Sequence, residues 1–507
     1  MRYGFVINQR SCIGCHACTV ACKTENGVPL GSFRTWVKYV EKGEFPNTRR
    51  HFAVLRCNHC DDAPCVEICP TVALFKRDDG IVDFDNDRCI GCKACMQACP
   101  YDALYLDPNT HTAAKCHYCA HRIDVGLEPA CVIVCPTRSI IAGDLDDPTS
   151  EISQLVSRAT VHVRRPEQNT KPKLLYVGAD AATISPGIAR QLPSFMWAER
   201  KEAPLTPFSS NSGLVPHQKA VNVYDVHHPA PWGWAVGAYL WTKSIASGAL
   251  SIGAAAVSLS LMGGGEALGL TGVAAGLISL IFIALTTGLL IFDLKRPERF
   301  WRLLVTPNLR SWLVWGGYII MAFGVVALVW LFAGIAGATG VLRLLAIPAI
   351  IVASLTAGYS AFLFAQAEGR DFWQSPLLLP ALLAHAGVGG AAALLLVAPL
   401  TGASGIAVDL LSTVLNISLT TALIVVLLEL YLPHTNDQVA GAADLIRHGP
   451  FAKRFWGITV AAGTIAPVLL LLLTSSALAP LAAILALVGM YVYQDVWVRA
   501  GQAIPIS

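Results

Sequence analysis

Sixteen cysteines fall within the first 135 residues and none follows. They divide into four groups of four. Cys12, Cys15, Cys18 and Cys22 read C-x2-C-x2-C-x3-C, and Cys89, Cys92, Cys95 and Cys99 repeat that spacing and add Pro100. Cys57, Cys60, Cys65 and Cys69 form C-x2-C-x4-C-x3-C-P, while Cys116, Cys119, Cys131 and Cys135 form C-x2-C-x11-C-x3-C-P. Two thiolates two residues apart can grip adjacent iron corners from one turn, which exposes backbone N–H groups to the cluster sulfurs, and a more distant cysteine closes the cage. Each group therefore predicts a [4Fe-4S] ligand set, and the sequence as a whole predicts four cubanes, an electron wire. Structural zinc also uses paired C-x2-C units, and a disulfide framework also uses an even count. Zinc needs no C-x2-C-x2-C-x3-C-P run, and a disulfide framework would not leave all residues after Cys135 without cysteine.

The elements that must carry such a wire fall into two solvents. The chain is 54% hydrophobic and only 14% charged, against roughly 25% charged in soluble domains. From Trp234 onward, apolar stretches follow one another at 234–261, 268–292, 312–336, 341–366, 377–399, 406–432, 455–475 and 477–498. Each is near the roughly twenty residues that a helix needs to cross a bilayer. Eight spans put both termini on one side. Lys295, Arg296, Arg299, Arg302, Arg310, Arg370, Arg447, Lys453, Arg454 and Arg499 flank the spans on the N-terminal side, whereas the opposite loops offer Arg343. This positive-inside bias predicts that the cysteine-bearing part faces the cytoplasm, in a bacterial or archaeal inner (cytoplasmic) membrane. Met1 to Gln9 has no apolar run, so no export leader is expected. A net charge of +3 is too small to argue for a nucleic-acid partner.

Residues 1–145 form the expected cluster domain. The runs Ala53–Arg56, Ile81–Phe84 and Ala103–Leu106 read as short strands beside ligand loops, which suits paired ferredoxin-like β-α-β-β-α-β units. Residues 146–232 read as a linker draped on the surface, with one helix near Ser150–Arg158 and an irregular stretch around Pro204–Gly213. Residues 233–507 form the transmembrane part. The fold class is thus a double ferredoxin-like α+β iron–sulfur domain followed by an all-α eight-helix bundle. If two ferredoxin-like halves form, the fourth ligands exchange, as in two-cluster ferredoxins. Cys12, Cys15 and Cys18 would share a cluster with Cys135, and Cys116, Cys119 and Cys131 with Cys22. Cys57, Cys60 and Cys65 would take Cys99, and Cys89, Cys92 and Cys95 would take Cys69. Residues 437–452 read equally as an interfacial helix or a solvated loop.

These motifs resemble a known family. The N-terminal half is similar to the four-cluster subunit of the DMSO reductase/polysulfide reductase class of molybdenum enzymes, including Gly143-Asp144-Leu145-Asp146-Asp147-Pro148 and Asn169-Thr170-Lys171-Pro172-Lys173-Leu174. The C-terminal half resembles the NrfD/polysulfide-reductase membrane anchor through Trp232-Gly233-Trp234, Asp293-Leu294-Lys295-Arg296-Pro297-Glu298-Arg299-Phe300 and Gly358-Tyr359. In the family these are usually two polypeptides; here they look fused. The resemblance implies a catalytic partner with a molybdopterin or tungstopterin, and a quinone (menaquinone or ubiquinone) as the membrane carrier. The cytoplasmic orientation suits formate- or sulfur-compound-oxidising complexes.

Ionisable residues in or beside spans are candidates for the quinone chemistry. Asp293 ends the second span, His228 precedes the first, and Tyr359 lies in the fourth; together they are expected to bind the quinone head on the cluster side. Asp293 could take a proton from quinol. Each also has a structural role open to it, as an interfacial anchor or an arginine partner. Lys243, deep in the first span, is expected to pair with Glu429, Glu368 or Asp495, as a proton path or as a buried structural pair. His385 is the only histidine deep in a span, and bis-histidine haem needs two, so no haem is expected. No P-loop lysine or hydrolytic triad accompanies these residues. Two classes of function remain: the electron-transfer and anchor subunit of a quinone-linked oxidoreductase, or an ion-translocating respiratory module that couples the same transfer to proton or sodium movement.

Overall fold

The computed structural model describes residues 1–191, 220–260, 268–403, 405–473 and 478–507. The stretch around Pro204–Gly213 lies outside them. The N-terminal part is built on β1 (Tyr3–Asn8), whose YGFVIN sequence is buried along its middle. It lies between β8 (Ile140–Asp144), antiparallel, and β10 (Leu174–Val177), parallel, with β9 (Val161–His162) at the edge. A second sheet holds the long hairpin β2 (Thr35–Glu44) and β3 (Asn47–Arg56), extended by β12 (Ala220–Tyr224) and β11 (Arg190–Gln191). Two short hairpins, β4 (Leu74–Lys76) with β5 (Val82–Phe84) and β6 (Leu104–Leu106) with β7 (Ala113–Lys115), stand beside the second and third cysteine groups.

The described part of the expected surface linker is woven into this fold. Leu174 and Tyr176 of β10 are fully buried, because the apolar run Leu174–Val177 pairs with β1 and completes the sheet that β1 begins. The helix expected near Ser150 runs Glu151–Arg158, and the Ser150 side chain caps it by accepting from the Ser153 N–H. The polar residues that made the segment look like linker are themselves tied down: Arg165 pairs with Asp371 at 2.6 Å, and Tyr101 meets Thr170 at 2.5 Å.

Eight long helices follow among the described residues: Trp234–Ser258, Gly269–Phe292, Trp312–Ile335, Thr339–Ala365, Leu378–Val397, Gly405–Tyr431, Arg454–Leu473 and Ala479–Ala503. Seven are long and apolar enough to cross a membrane; the first, though 25 residues long, falls short in hydropathy because it carries Thr242, Lys243, Ser244 and Ser247. Its position explains this. It is packed by neighbours on most sides, and its hydroxyls return to the carbonyls of the preceding turn, Ser244 to Leu240 O at 2.9 Å and Ser247 to Lys243 O at 2.8 Å. Gly248 and Gly390 let the first and fifth helices meet backbone to backbone; a Cβ at either would strike the facing helix.

The eighth helix outruns its apolar stretch, continuing to Ala503 because its polar end has partners. Asp495 binds Arg454 and Arg499, both at 2.8 Å, and Gln502 binds Trp232. Between the sixth and seventh helices, residues 437–447 form the helix rather than the loop, capped by Asn436. The two halves share one continuous core, in which Trp36, Tyr118 and the cysteines connect to Trp232, Phe364, Trp373 and Trp497.

Candidate electron path and its membrane-facing end

The cysteines regroup in space. Cys12, Cys15 and Cys18 line a cavity with Cys135; Cys116, Cys119 and Cys131 line one with Cys22; Cys89, Cys92 and Cys95 line one with Cys69. Cys57, Cys60 and Cys65 gather with Cys99. This partition coincides with the exchanged sets expected of ferredoxin-like halves.

The same local backbone builds all four. The residue before each second cysteine, Gly14, His59, Gly91 or Tyr118, is left-handed, with φ of 69, 44, 68 and 63°. That turn aims N–H groups at sulfur: His59 N donates to Cys57 Sγ and Gly91 N to Cys89 Sγ, both at 3.4 Å. After the last cysteine of three groups a second left-handed residue, Val72, Asp102 or Arg138, turns the backbone round. Leu74 N and Ser139 N then reach Cys69 and Cys135 at 3.4 and 3.2 Å.

The donor set fits cubanes and not single ions. Among the described residues no three His, Cys, Asp or Glu groups converge on one ion position, as a zinc site with bonds of about 2.3 Å would require. Burial pushes the thiols of Cys18 and Cys22 up to about 11 and about 12, so a bare thiolate is disfavoured at both. Buried cations stand beside the quartets: Arg56, Lys93 and Lys115 are each almost fully enclosed and face ligand cysteines. Burial opposes the charge of Arg56, yet Cys131, Cys116 and Cys18 hold its pKa above the ordinary value. Its Nη1 donates to Cys131 Sγ at 3.0 Å. Nε and Nη2 have no partner within the protein, an orphaned donor pair that cluster sulfurs would satisfy. When bound, such clusters supply one-electron transfer.

The quartets form a line whose order differs from the sequence. Cys18 of the first set faces Cys131 of the second, Cys116 of the second faces Cys57 of the third, and Cys65 of the third faces Cys95 of the last. At the open end Cys15 is exposed, with Ile13, Val20 and Ile133 also exposed on the ligand segments. The last quartet sits on the membrane half. Trp232 Nε1 donates to Cys92 O at 3.2 Å, Asn308 Nδ2 to Cys69 O at 2.9 Å and Arg299 Nη1 to Cys89 O at 3.1 Å. A Cβ on Gly91 would lie 2.7 Å from Lys295 Cβ, so this ligand turn needs glycine both for its φ and for its contact.

Asp293 meets the ligand turn of this quartet, accepting from Lys93 Nζ at 2.8 Å. Behind it lies a polar group inside the first four helices. Tyr239 interacts with both Asp293 and Tyr359, and both phenols lie against Ser360. Lys243 Nζ donates to Ser360 Oγ at 2.6 Å and Ala357 O at 3.1 Å, and lies 4.6 Å from the Tyr359 ring centroid. The expected carboxylate partners of Lys243 are engaged elsewhere or apart: Asp495 holds two arginines, Glu429 accepts from Tyr493 at 3.4 Å, and among the described residues no carboxylate lies within ion-pair distance of Lys243. Asp293 and Tyr359 are thus brought near one another through Tyr239. The His228 ring packs 5.1 Å from Trp36 of β2, and its buried Nε2 has no partner within the protein. Tyr239 escaped the sequence reading, although its position four residues before Lys243 places both on one helix face.

Comparison with known proteins agrees with both halves. Residues 222–505, more than half of the sequence, match the family described as Polysulphide reductase, NrfD. Residues 49–145 match a 4Fe-4S dicluster domain and residues 10–25 a 4Fe-4S binding domain. A subunit of the tetrathionate reductase of Salmonella typhimurium is 45% identical over 202 residues, 39% of this chain and 80% of that protein. A component of the polysulfide reductase of Wolinella succinogenes is 42% identical over 184 residues, 35% of this chain and 94% of that protein. The arsenate respiratory reductase iron-sulfur subunit ArrB of a Shewanella species is 36% identical over 225 residues, 35% of this chain and 96% of that protein.

Proposed function

This protein belongs to the NrfD polysulphide reductase family, and from that premise we propose that it carries electrons between a pterin-bearing catalytic subunit on the cytoplasmic side and the quinone pool of a prokaryotic inner membrane. It is an iron–sulfur electron-transfer subunit with an NrfD-type anchor, a multi-pass membrane protein. The finer reading assigns four [4Fe-4S] clusters to the four quartets. It also assigns a molybdopterin or tungstopterin partner to the Cys15 end, and a quinone head to the region of Asp293, Tyr239 and Tyr359.

One observation carries this reading: the quartets run in line from an exposed thiol to a ligand loop whose Lys93 is bonded to Asp293. An electron that reaches this loop meets no further cysteine in the membrane half. A two-electron carrier that lives in the bilayer must therefore come to the loop. Its oxygens need hydrogen-bond donors and a group that exchanges protons, and Tyr239, Tyr359 and Asp293 are of those types. The relatives compared above belong to reductases of tetrathionate, polysulfide and arsenate. Such variety at similar identity supports placing substrate choice in the catalytic partner.

The test is to add a menaquinol analogue and, separately, a ubiquinol analogue to the purified full-length protein in lipid nanodiscs and follow cluster reduction by electron paramagnetic resonance. Reduction by either, slowed in Asp293→Asn, is expected. Clusters that dithionite reduces but neither quinol reaches would overturn the quinone assignment.

A further inference from the structure

The membrane half contains a second polar region that the electron path does not use. Two small internal spaces lie among the fifth to eighth helices and between the first, fourth, fifth and eighth. His385 and Tyr493 line both. Polar groups without partners are concentrated here. His385 is 5% exposed and its Nδ1 has no partner within the protein; Gln494 is 2% exposed and neither its Oε1 nor its Nε2 has one. Beside them, Glu429 Oε2 accepts from Tyr493 OH at 3.4 Å and its carboxylate lies against the Ser375 and Trp497 side chains, while its buried Oε1 makes no well-formed hydrogen bond. The His385 and Tyr493 rings are 5.2 Å apart.

Each such group is costly if left dry, and three side chains on three different helices leave four atoms in this condition. A space holds ordered water when it is polar and gives each molecule two to four partners. One water at Gln494 would serve both a donor and an acceptor; one at His385 would join the two spaces. The wall opposite His385 is the wide-turned segment Arg454–Ile465 of the seventh helix, whose five-residue hydrogen-bond spacing is rare and recurs at functional sites. Thr459 and Thr464 bring further hydroxyls to it.

We propose that His385, Glu429, Tyr493 and Gln494 form a hydrated site that binds one or two ordered water molecules and holds an exchangeable proton at the Glu429 carboxyl. The proton passes between the carboxylate and bound water; no electron moves and no other bond changes. Trp497 connects the site to the core beneath the last quartet: it lines the smaller space and stacks 6.0 Å from Trp373, which stacks 5.4 Å from Trp232. The proposal rests on neither the quinone nor the partner assignment.

The test uses the full-length protein in lipid nanodiscs. Electron cryomicroscopy at a resolution that shows water should reveal density within hydrogen-bond reach of His385 Nδ1, the Gln494 amide and Glu429 Oε1, absent around position 494 in Gln494→Leu. A continuous tail-shaped density, or no density, overturns the proposal. Infrared difference spectra between oxidised and reduced protein, in H2O and D2O, should contain a carboxyl C=O band that shifts on deuteration, disappears in Glu429→Gln and persists in Asp293→Asn. A spectrum unchanged by Glu429→Gln overturns the proton assignment. Iron content and cluster spectra equal to those of the parent protein verify that each variant is folded.

Discussion

Lys93 and Asp293, 200 positions apart, meet in a 2.8 Å ion pair that ties the ligand turn of the last quartet to the end of the second long helix. Lys93 lies between Cys92 and Ala94 and is left-handed, so the turn that grips the metal also presents the lysine. The carboxylate holds the halves in register and stands one side chain away from the end of the wire. Replacing Asp293 by Asn should leave cluster spectra intact and lower quinone-linked turnover by about tenfold or more, the scale of a lost proton-transfer group. In a double cycle with Lys93→Gln, the pair should show a coupling of roughly 0.5–3 kcal/mol in stability. Unchanged quinone kinetics in an intact Asp293→Asn variant would remove it from the site.

The exchanged ligand sets make a sharp spectroscopic claim. Cys135 lines the cavity of Cys12, Cys15 and Cys18, not that of its sequence neighbours Cys116, Cys119 and Cys131. The parent protein should contain about sixteen iron atoms. Cys135→Ser should alter or lose only the outermost cluster, leaving at least about twelve. Loss of the cluster bound by Cys116, Cys119 and Cys131 instead would refute the exchange.

Much of this was legible in the sequence, and the reasons differ by residue. Cysteine spacing is local chemistry, so the ligand groups stand out without any fold. The helices follow from apolar length, which is set by the bilayer rather than by tertiary context. What escaped depends on long-range partners. The strand Leu174–Val177 hides inside a polar segment whose cations are buried only because distant carboxylates meet them, as Asp371 meets Arg165. The eighth helix continues through Asp495 and Arg499 because Arg454 completes the pairing. Lys243 was expected to face a carboxylate, since burying a lone ammonium is costly. A carbonyl, a hydroxyl and an aromatic ring receive it instead, and none of them is a charge visible in the sequence. The ring contact of His228 with Trp36 of β2 likewise joins residues far apart in the sequence.

Orientation can be tested independently of chemistry. The basic helix ends touch the cluster half: Arg296 donates to Thr110 O at 2.8 Å, and Arg370 to Gln97 Oε1 at 2.9 Å. With the positive side in the cytoplasm, alkaline phosphatase fused after Ser507 should be inactive, whereas fusion at Gly337, in the turn between the third and fourth helices, should be active. The reverse pattern would invert the topology and place the catalytic partner outside.

Arg56 offers the last prediction. Its guanidinium is fully buried, stacks 4.6 Å from the Phe5 ring centroid and donates to Cys131 Sγ at 3.0 Å. It also faces Cys116 and Cys18, so it stands between the first two quartets of the line. A fixed positive charge stabilises the more negative, reduced cluster and raises its potential. A unit charge about 6 Å away at an effective dielectric of about 20 contributes ~3 kcal/mol, or about 120 mV for one electron. Arg56→Gln should therefore lower the potentials of the outer two clusters by tens of millivolts up to that figure, while Arg56→Lys should restore most of the shift. The cluster of Cys69, Cys89, Cys92 and Cys95, at the far end of the line, should not move. Redox titration monitored by electron paramagnetic resonance reads all four at once, and equal shifts at both ends, or none at the outer pair, would rule out a local electrostatic role for Arg56.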